Sequence, residues 1–186
     1  MNIVVLISGD GSNLQAIINH FKNSPIINIS AVISNNPDAY GLTRAKKANI
    51  PQYVINHQLF DSRNQFDSAL QQCIDQFHPD LVVLAGFMRK LTPEFVRHYS
   101  NRMINIHPSL LPKYKGLNTH ERALAAGDKK HGVSIHYVTE ALDEGPIIAQ
   151  SEIDILEEDT IESLKKRIQQ VEHKLYPQII EKLAQK

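Results

Sequence analysis

The sequence predicts an α/β protein built as a single domain: a mostly parallel twisted sheet with helices on both faces. Three observations predict it. Residues 2–7 and 81–85 are unbroken apolar runs, as strands of a parallel sheet buried on both faces are. From the first of them to residue 107, strand-like runs alternate with segments of helical spacing, β-α-β-α-β-α-β-α-β, the pattern of right-handed crossovers around a parallel sheet. Residues 133–138 and 147–155 then follow one another with only a turn-rich loop between them, which predicts an antiparallel addition near the C-terminal part.

The elements follow in order. Residues 2–7 form a buried strand, and Ser8-Gly9-Asp10-Gly11-Ser12-Asn13 leads into a helix whose Leu14, Ile17, Ile18 and Phe21 share one face. Residues 26–34 read as a second strand, Asn35-Asn36-Pro37-Asp38 as a loop, and 41–49 as a short helix with Leu42, Ala45 and Ala48 inward. Residues 52–55 make a weaker third strand. A helix over 61–77 turns Phe66, Ala69, Leu70, Cys73 and Phe77 to the core. After the strand at 81–85, Thr92-Pro93-Glu94 supplies a cap and an N1 proline for the next helix. The apolar run ending at Met103 and Ile104 exits into Asn105-Ile106-His107-Pro108, where prolines at 108 and 112 exclude a regular continuation. Residues 119–126 form a helix stopped by Gly127, and 133–138 alternate like a strand with one face inward. The last helix carries Ile161, Leu164, Ile168, Val171 and Leu175 inward, and Pro177 is expected to kink it.

Chemistry concentrates at strand exits, where α/β proteins bind ligands. Asn105 and His107 are two apart, so on an extended backbone they face the same way. One is a neutral donor and the other exchanges a proton near neutral pH, a pair able to hold an oxyanion and manage a proton. The loop at 8–13 has the strand-glycine-helix arrangement of a phosphate site, with Ser12 or Asn13 either capping the helix or reaching the anion. A tight turn with an ordinary cap fits it too. Phe87, Met88 and Leu91 either cover a flat ring or pack on the core. Asp143, between a leucine and a glycine turn, is an acid at the site or the acceptor of an Asx turn. Arg63 reads as a solvated charge, and Gln169, Glu172 and His173 within one turn read the same way, although Gln169 and Glu172 share a face.

Composition narrows the function classes. Lys plus Arg and Asp plus Glu number 20 each, so no whole-chain field draws in nucleic acid or a membrane surface. Cys73 is the only cysteine, which allows no internal disulfide and fits a reducing compartment and core packing. No apolar stretch approaches the roughly 18 residues of a membrane span, and Met1 runs straight into a strand. A soluble, cytoplasmic protein is expected. The nine histidines are scattered and no His-x-x-x-His or His/Cys cluster stands out, so no metal is expected.

Five segments in register carry a resemblance: Ser8-Gly-Asp-Gly-Ser-Asn13, Ala85-Gly-Phe-Met-Arg89, Asn105-Ile-His-Pro-Ser-Leu-Leu-Pro112, His131-Gly-Val-Ser-Ile-His136 and Leu142-Asp-Glu-Gly-Pro146. From Met1 to about Pro177 the chain resembles the phosphoribosylglycinamide formyltransferase family of folate-dependent formyltransferases, with a Rossmann-like fold. The resemblance implies formyl transfer from 10-formyltetrahydrofolate, the co-substrate, to the glycinamide amine of 5'-phosphoribosylglycinamide (GAR) in de novo purine biosynthesis. It implies a catalytic trio of Asn105, His107 and Asp143. It implies GAR contacts at Gly11, Ser12, Asn13, Gln169 and Glu172. It implies folate contacts at Arg63, Met88, Arg89, Lys90, Leu91, Asn105, Thr139, Glu140, Ala141, Leu142 and Asp143. Residues 1–100 become the nucleotide-phosphate half and 101–186 the catalytic and folate half. The Leu111-Pro112 bond is expected to be cis, and the protein a monomer or weak homodimer.

The chain departs from the family pattern at three places. Asp10 stands where relatives often carry Asn, and an acid there opposes phosphate unless it points away. Lys115 replaces a proline common in that turn, so a looser loop is expected. The chain stops at Lys186 where relatives often continue, which is expected to cost stability if that tail closes the site. A 10-formyltetrahydrofolate hydrolase or a methionyl-tRNA formyltransferase would share the trio, but a tRNA enzyme needs a basic domain that this length and charge do not provide. A nicotinamide-dependent dehydrogenase fits poorly. The glycine spacing fails, and Ser34-Asn35-Asn36 stands where its ribose-binding acid belongs. A non-catalytic nucleotide- or folate-binding module has no need of the trio.

Overall fold

In the computed structural model, which describes residues 1–186, the first strand is buried on both sides. This strand, β1 (Asn2–Ile7), sends Ile3, Val5 and Ile7 into one apolar cluster and Val4 and Leu6 into the other. That division, set by the period-two alternation of a strand, makes the two core layers of the molecule. On one face, α1 (Ser12–Phe21) and α6 (Ile161–Ala184) cover β1 with Leu14, Ile17, Ile18, Phe21, Tyr176, Ile179 and Ile180. On the other, α3 (Arg63–Asp75) and α4 (Pro93–His98) cover it with Phe66, Leu70, Ile74, Phe95 and Val96.

The remaining elements are β2 (Asn28–Ser34), α2 (Tyr40–Lys47), β3 (Gln52–Val54), β4 (Leu81–Leu84), β5 (Met103–His107), α5 (Thr119–Ala125), β6 (Lys130–Tyr137) and β7 (Ile147–Asp154). The sheet runs β3-β2-β1-β4-β5-β6-β7. Pairings from β3 to β5 are parallel, and β6 and β7 add antiparallel to β5. The winding reverses between β1 and β4, so the exits of β1, β4 and β5 open onto one crevice.

Several expected boundaries shift. The second strand begins at Asn28, because Ile26 is taken up by its carbonyl accepting the N-terminal ammonium. The helix at 61–77 shortens to Arg63–Asp75, since Ser62 is its cap, its hydroxyl accepting from the Gln65 N–H at 3.1 Å. The helix at 41–49 shortens to Tyr40–Lys47, with Asn49 left-handed at φ 57°. A 3₁₀ turn at His57–Leu59 was not foreseen. The strand expected at 133–138 begins at Lys130 and is buried on both faces rather than one, because α6 covers one side and the 108–112 segment the other. Helix α6 continues through Pro177 as one helix to Ala184. Burying Tyr176, Ile179 and Ile180 on either side of it, at about 1.5–3 kcal/mol each, outweighs one lost N–H. No helix is long and apolar enough to cross a membrane.

Candidate active site

At the exit of β5, register decides which side chains meet. Asn105 pairs with His136 and His107 with Ser134 across the antiparallel β5–β6 ladder. The Asn105 amide lies 3.4 Å from His136 Nε2. Asp143 comes from the 139–146 loop that joins β6 to β7. Its backbone is left-handed (φ 52°), and Gly145 just beyond allows the loop to fold against β6, where a Cβ would stand 1.6 Å from the Tyr137 carbonyl. The Asp143 carboxylate lies 3.6 Å from His107 Nδ1 and 3.8 Å from His136 Nε2. It accepts from the Gly116 N–H at 2.9 Å, so it caps no Asx turn of its own. The trio foreseen from the sequence is therefore brought together, with all three side chains of the His107–Asp143–His136 cluster less than a tenth exposed.

The other ring nitrogen of His107 is committed. Nε2 donates to the Tyr114 carbonyl at 2.8 Å, which leaves Nδ1 to face Asp143. The Tyr114 carbonyl is itself held in place. The Ser109 hydroxyl donates to the Lys113 carbonyl, the Leu111 N–H to Ser134, and Arg122 donates to the Lys115 and Leu117 carbonyls. An ion pair of 2.5 Å joins Lys115 to Glu144, so the turn at 113–118 is tied down rather than loosened by that lysine. The Leu111-Pro112 peptide is cis. His136 is the group in this cluster whose role sequence reasoning missed. Burial holds its imidazole below the usual range, against opposing hydrogen-bond and Asp143 contributions.

The second cluster gathers around the start of α1. Gly11 is the cap residue, at φ 77°, and its Cα approaches α2 so closely that a Cβ would meet Gly41 Cα at 2.7 Å. With glycine as the cap, neither Ser12 nor Asn13 caps α1, and no side chain caps the N–H groups of the first turn. Asp10 is turned to Arg44, 3.1 Å away, whose Nε also donates to the Asp10 carbonyl. Glu172 departs from the sequence reading most clearly. It is buried, not solvated, and burial raises its carboxyl to about 7, with a hydrogen bond from Asn13 opposing the rise. Gln169 is half-buried one turn earlier on α6.

The third group lies at the exit of β4. Met88 is 66% exposed, whereas Phe87 and Leu91 pack partly on the core. The Arg89 guanidinium lies over the Phe66 ring at 5.4 Å, and Lys90 is exposed. In the 139–143 segment, Thr139, Glu140, Ala141 and Leu142 are exposed, and Glu140 pairs with Arg97 at 2.7 Å. Arg63 is exposed at the first position of α3 and bonds to none of these residues.

Residues 1–180 match the formyl transferase family. The chain belongs to that family. Among formyl transferases of known sequence, it is 52% identical over 181 residues to phosphoribosylglycinamide formyltransferase of Escherichia coli, covering 97% of this chain and 85% of that one. Among solved formyl transferases, phosphoribosylglycinamide formyltransferase of Coxiella burnetii, crystallised with CHES, superposes with a TM-score of 0.93 at 60% identity over 96% of this chain and 84% of the other. Glycinamide ribonucleotide transformylase 1 of Symbiobacterium toebii gives a TM-score of 0.96 at 42% identity, covering 100% and 88%. The formyl transferase fold, one α/β domain with antiparallel strands at its C-terminal part, is thus the fold of this chain.

Proposed function

We propose that this formyl transferase moves the formyl group of 10-formyltetrahydrofolate to the glycinamide amine of GAR, in purine biosynthesis. The observation that carries the reading is the convergence of Asn105, His107 and Asp143 at the exit of β5. In this reading residues 1–100 supply the nucleotide side and 101–186 the catalytic and folate side. The N–H groups of the first turn of α1, with Gly11, Ser12 and Asn13, take the GAR phosphate at the positive end of the helix. Gln169 and Glu172 contact the rest of that nucleotide. Residues 88–91 and 139–143 take the folate, and Arg63 reaches its outer end.

The reaction needs no covalent intermediate with the protein. The neutral amine of GAR attacks the formyl carbon and forms a C–N bond. The carbonyl electron pair moves to oxygen, giving an oxyanion and an ammonium. The Asn105 amide donates to that oxygen. Because Nε2 of His107 is fixed on the Tyr114 carbonyl, His107 donates from Nδ1, and only as the imidazolium, which the Asp143 carboxylate stabilises. The ammonium proton passes to the departing folate nitrogen, with Asp143 and water as carriers. The C–N bond to folate then breaks, releasing formyl-GAR and tetrahydrofolate.

The test is turnover of 10-formyltetrahydrofolate with GAR beside a control without it. GAR-dependent deformylation is expected. Deformylation at the same rate without GAR would make the protein a hydrolase, and no deformylation would leave a binding module.

A further inference from the structure

The segment 88–91 has an unusual backbone. The amides and carbonyls of Arg89, Lys90 and Leu91 make no hydrogen bond within the protein, although the residues on either side are tightly fixed. At one end, the Met88 N–H donates to Ser8 Oγ at 2.8 Å. The Ser8 hydroxyl is itself oriented, since its proton goes to Oδ1 of buried Asn35 at 2.5 Å. Its lone pairs are thereby aimed at Met88. At the other end, the Thr92 N–H donates to Asp67 Oδ2 at 2.7 Å. Asp67 is only 3% exposed, and its second oxygen has no partner. The Arg89 Nε, also buried, has none either.

Leaving a carboxylate oxygen and a guanidinium N–H buried and unpaired is costly. A neutral acceptor would satisfy Thr92 equally well. Such local violations gather where function requires them. What the two pins achieve is plain from the backbone between them: three consecutive residues with free donors and acceptors, bent at Arg89 and anchored at both ends before any ligand arrives. A ligand that reads that edge then meets no cost of ordering it.

We propose that Ser8 and Asp67 are positioning residues, which hold residues 88–91 as a preformed edge and so set the affinity for the folate donor. This rests on the reading that 88–91 receives the folate. Neither residue touches the reacting atoms, and neither lies among the residues assigned above to GAR or folate.

The test compares Ser8→Ala, Asp67→Ala and Asp67→Asn in three measurements: equilibrium binding of 10-formyl-5,8-dideazafolate, steady-state kinetics with that donor and GAR, and amide hydrogen exchange at residues 88–92. Loss of one pin is expected to raise both the Kd and KM for the donor roughly three- to tenfold, in line with one lost hydrogen bond. Exchange of the Met88 or Thr92 amide that has lost its acceptor should accelerate, while the KM for GAR moves by less than about twofold. Asp67→Asn keeps an acceptor for Thr92 and should restore donor affinity, which a loss of general stability would not predict. If Asp67→Ala does not fold, Ser8→Ala carries the test, because Ser8 is only half-buried. Faster exchange with unchanged donor Kd would overturn the proposal, as would a parallel fall in kcat and rise in both KM values. Binding and exchange need no turnover. A wild type that binds the donor in this pattern without formylating GAR would sink the proposed function and leave the positioning role standing. A wild type that binds no donor would sink both.

Discussion

His107 Nδ1 and Asp143 Oδ2 stand 3.6 Å apart, with both side chains less than a tenth exposed. That separation is longer than a hydrogen bond, so the two groups face each other without sharing one. Meanwhile Nε2 of His107 is spent on the Tyr114 carbonyl. Only Nδ1 is therefore left without a hydrogen-bond partner, and the ring's orientation is set by a backbone carbonyl rather than by the acid.

Asp143→Asn separates charge from shape. The amide still offers an oxygen to the Gly116 N–H, so the loop stays folded. The imidazolium loses its counter-charge in a buried site. The expected result is a fall in kcat of roughly ten- to a hundredfold with both KM values nearly unchanged, and Asn105→Ala or His107→Ala should lose roughly a hundredfold or more. Steady-state kinetics with circular dichroism as the folding control checks this. An Asp143→Asn kcat within a factor of about two of wild type would remove the acid from the mechanism.

Asp10 is no obstacle to a phosphate while Arg44 holds it. The carboxylate is 69% exposed but paired at 3.1 Å. Asp10→Asn should therefore lower the KM for GAR by less than about threefold and leave stability within about 0.5 kcal/mol, as exposed pairs usually do. Arg44→Ala should do more harm, because it leaves the acid unneutralised beside the loop. A rise in the GAR KM of several-fold is expected there, and it should shrink in high salt.

The fold and the Asn105–His107 pair were legible for the same reason: both are written in short-range spacing, whereas Asp143 was assigned to the site only through the family resemblance. Unbroken apolar runs report burial on both faces of β1 and β4, and the i, i+2 step of Asn105 and His107 reports a shared side of β5. What stayed hidden depends on partners distant in sequence. Glu172 looks like any solvated helix acid until α6 is laid against α1, which buries it beside Asn13. His136 is unremarkable until the antiparallel register places it opposite Asn105. The Tyr114 carbonyl that fixes His107 is a main-chain group, which no residue type announces.

His131 and His120 form a second histidine pair, Nε2 to Nδ1 at 3.1 Å, between β6 and α5. His131 is 1% exposed, and burial drives its imidazole down to about 4, with the neighbouring His120 adding to the fall. Its folded pKa is thus below its unfolded value near 6.5, and the unfolded chain binds the extra proton in between. Stability is complete above about 6.5 and is lost as pH falls toward 4, by up to about 3 kcal/mol from this group. His131→Gln, which can still bond His120, should flatten that acid limb. Urea unfolding at pH 7 and pH 5 measures it, and an equal acid loss in wild type and variant would place the sensitivity elsewhere.

Glu172 gives the opposite slope. Its carboxyl is raised from 4.5 to about 7, chiefly by burial, so ionising it costs the folded state and not the unfolded one. The folded state has its full advantage below about 4.5 and loses it as pH rises through 7, by up to about 3 kcal/mol. Glu172→Gln keeps a partner for Asn13 and cannot ionise. The variant should match wild type in Tm near pH 4.5 and exceed it by a growing margin up to pH 8. Binding should move the other way. If the ionised carboxylate accepts hydrogen bonds from GAR, the KM for GAR in wild type falls as pH rises through 7. Glu172→Gln should remove that dependence and raise the KM roughly tenfold at pH 8, the scale of a charge-assisted hydrogen bond. A Tm difference constant from pH 5 to pH 8 would show that the carboxyl titrates normally. A pH-dependent Tm difference with an unchanged GAR KM would make Glu172 a buried structural acid and take it out of the nucleotide site.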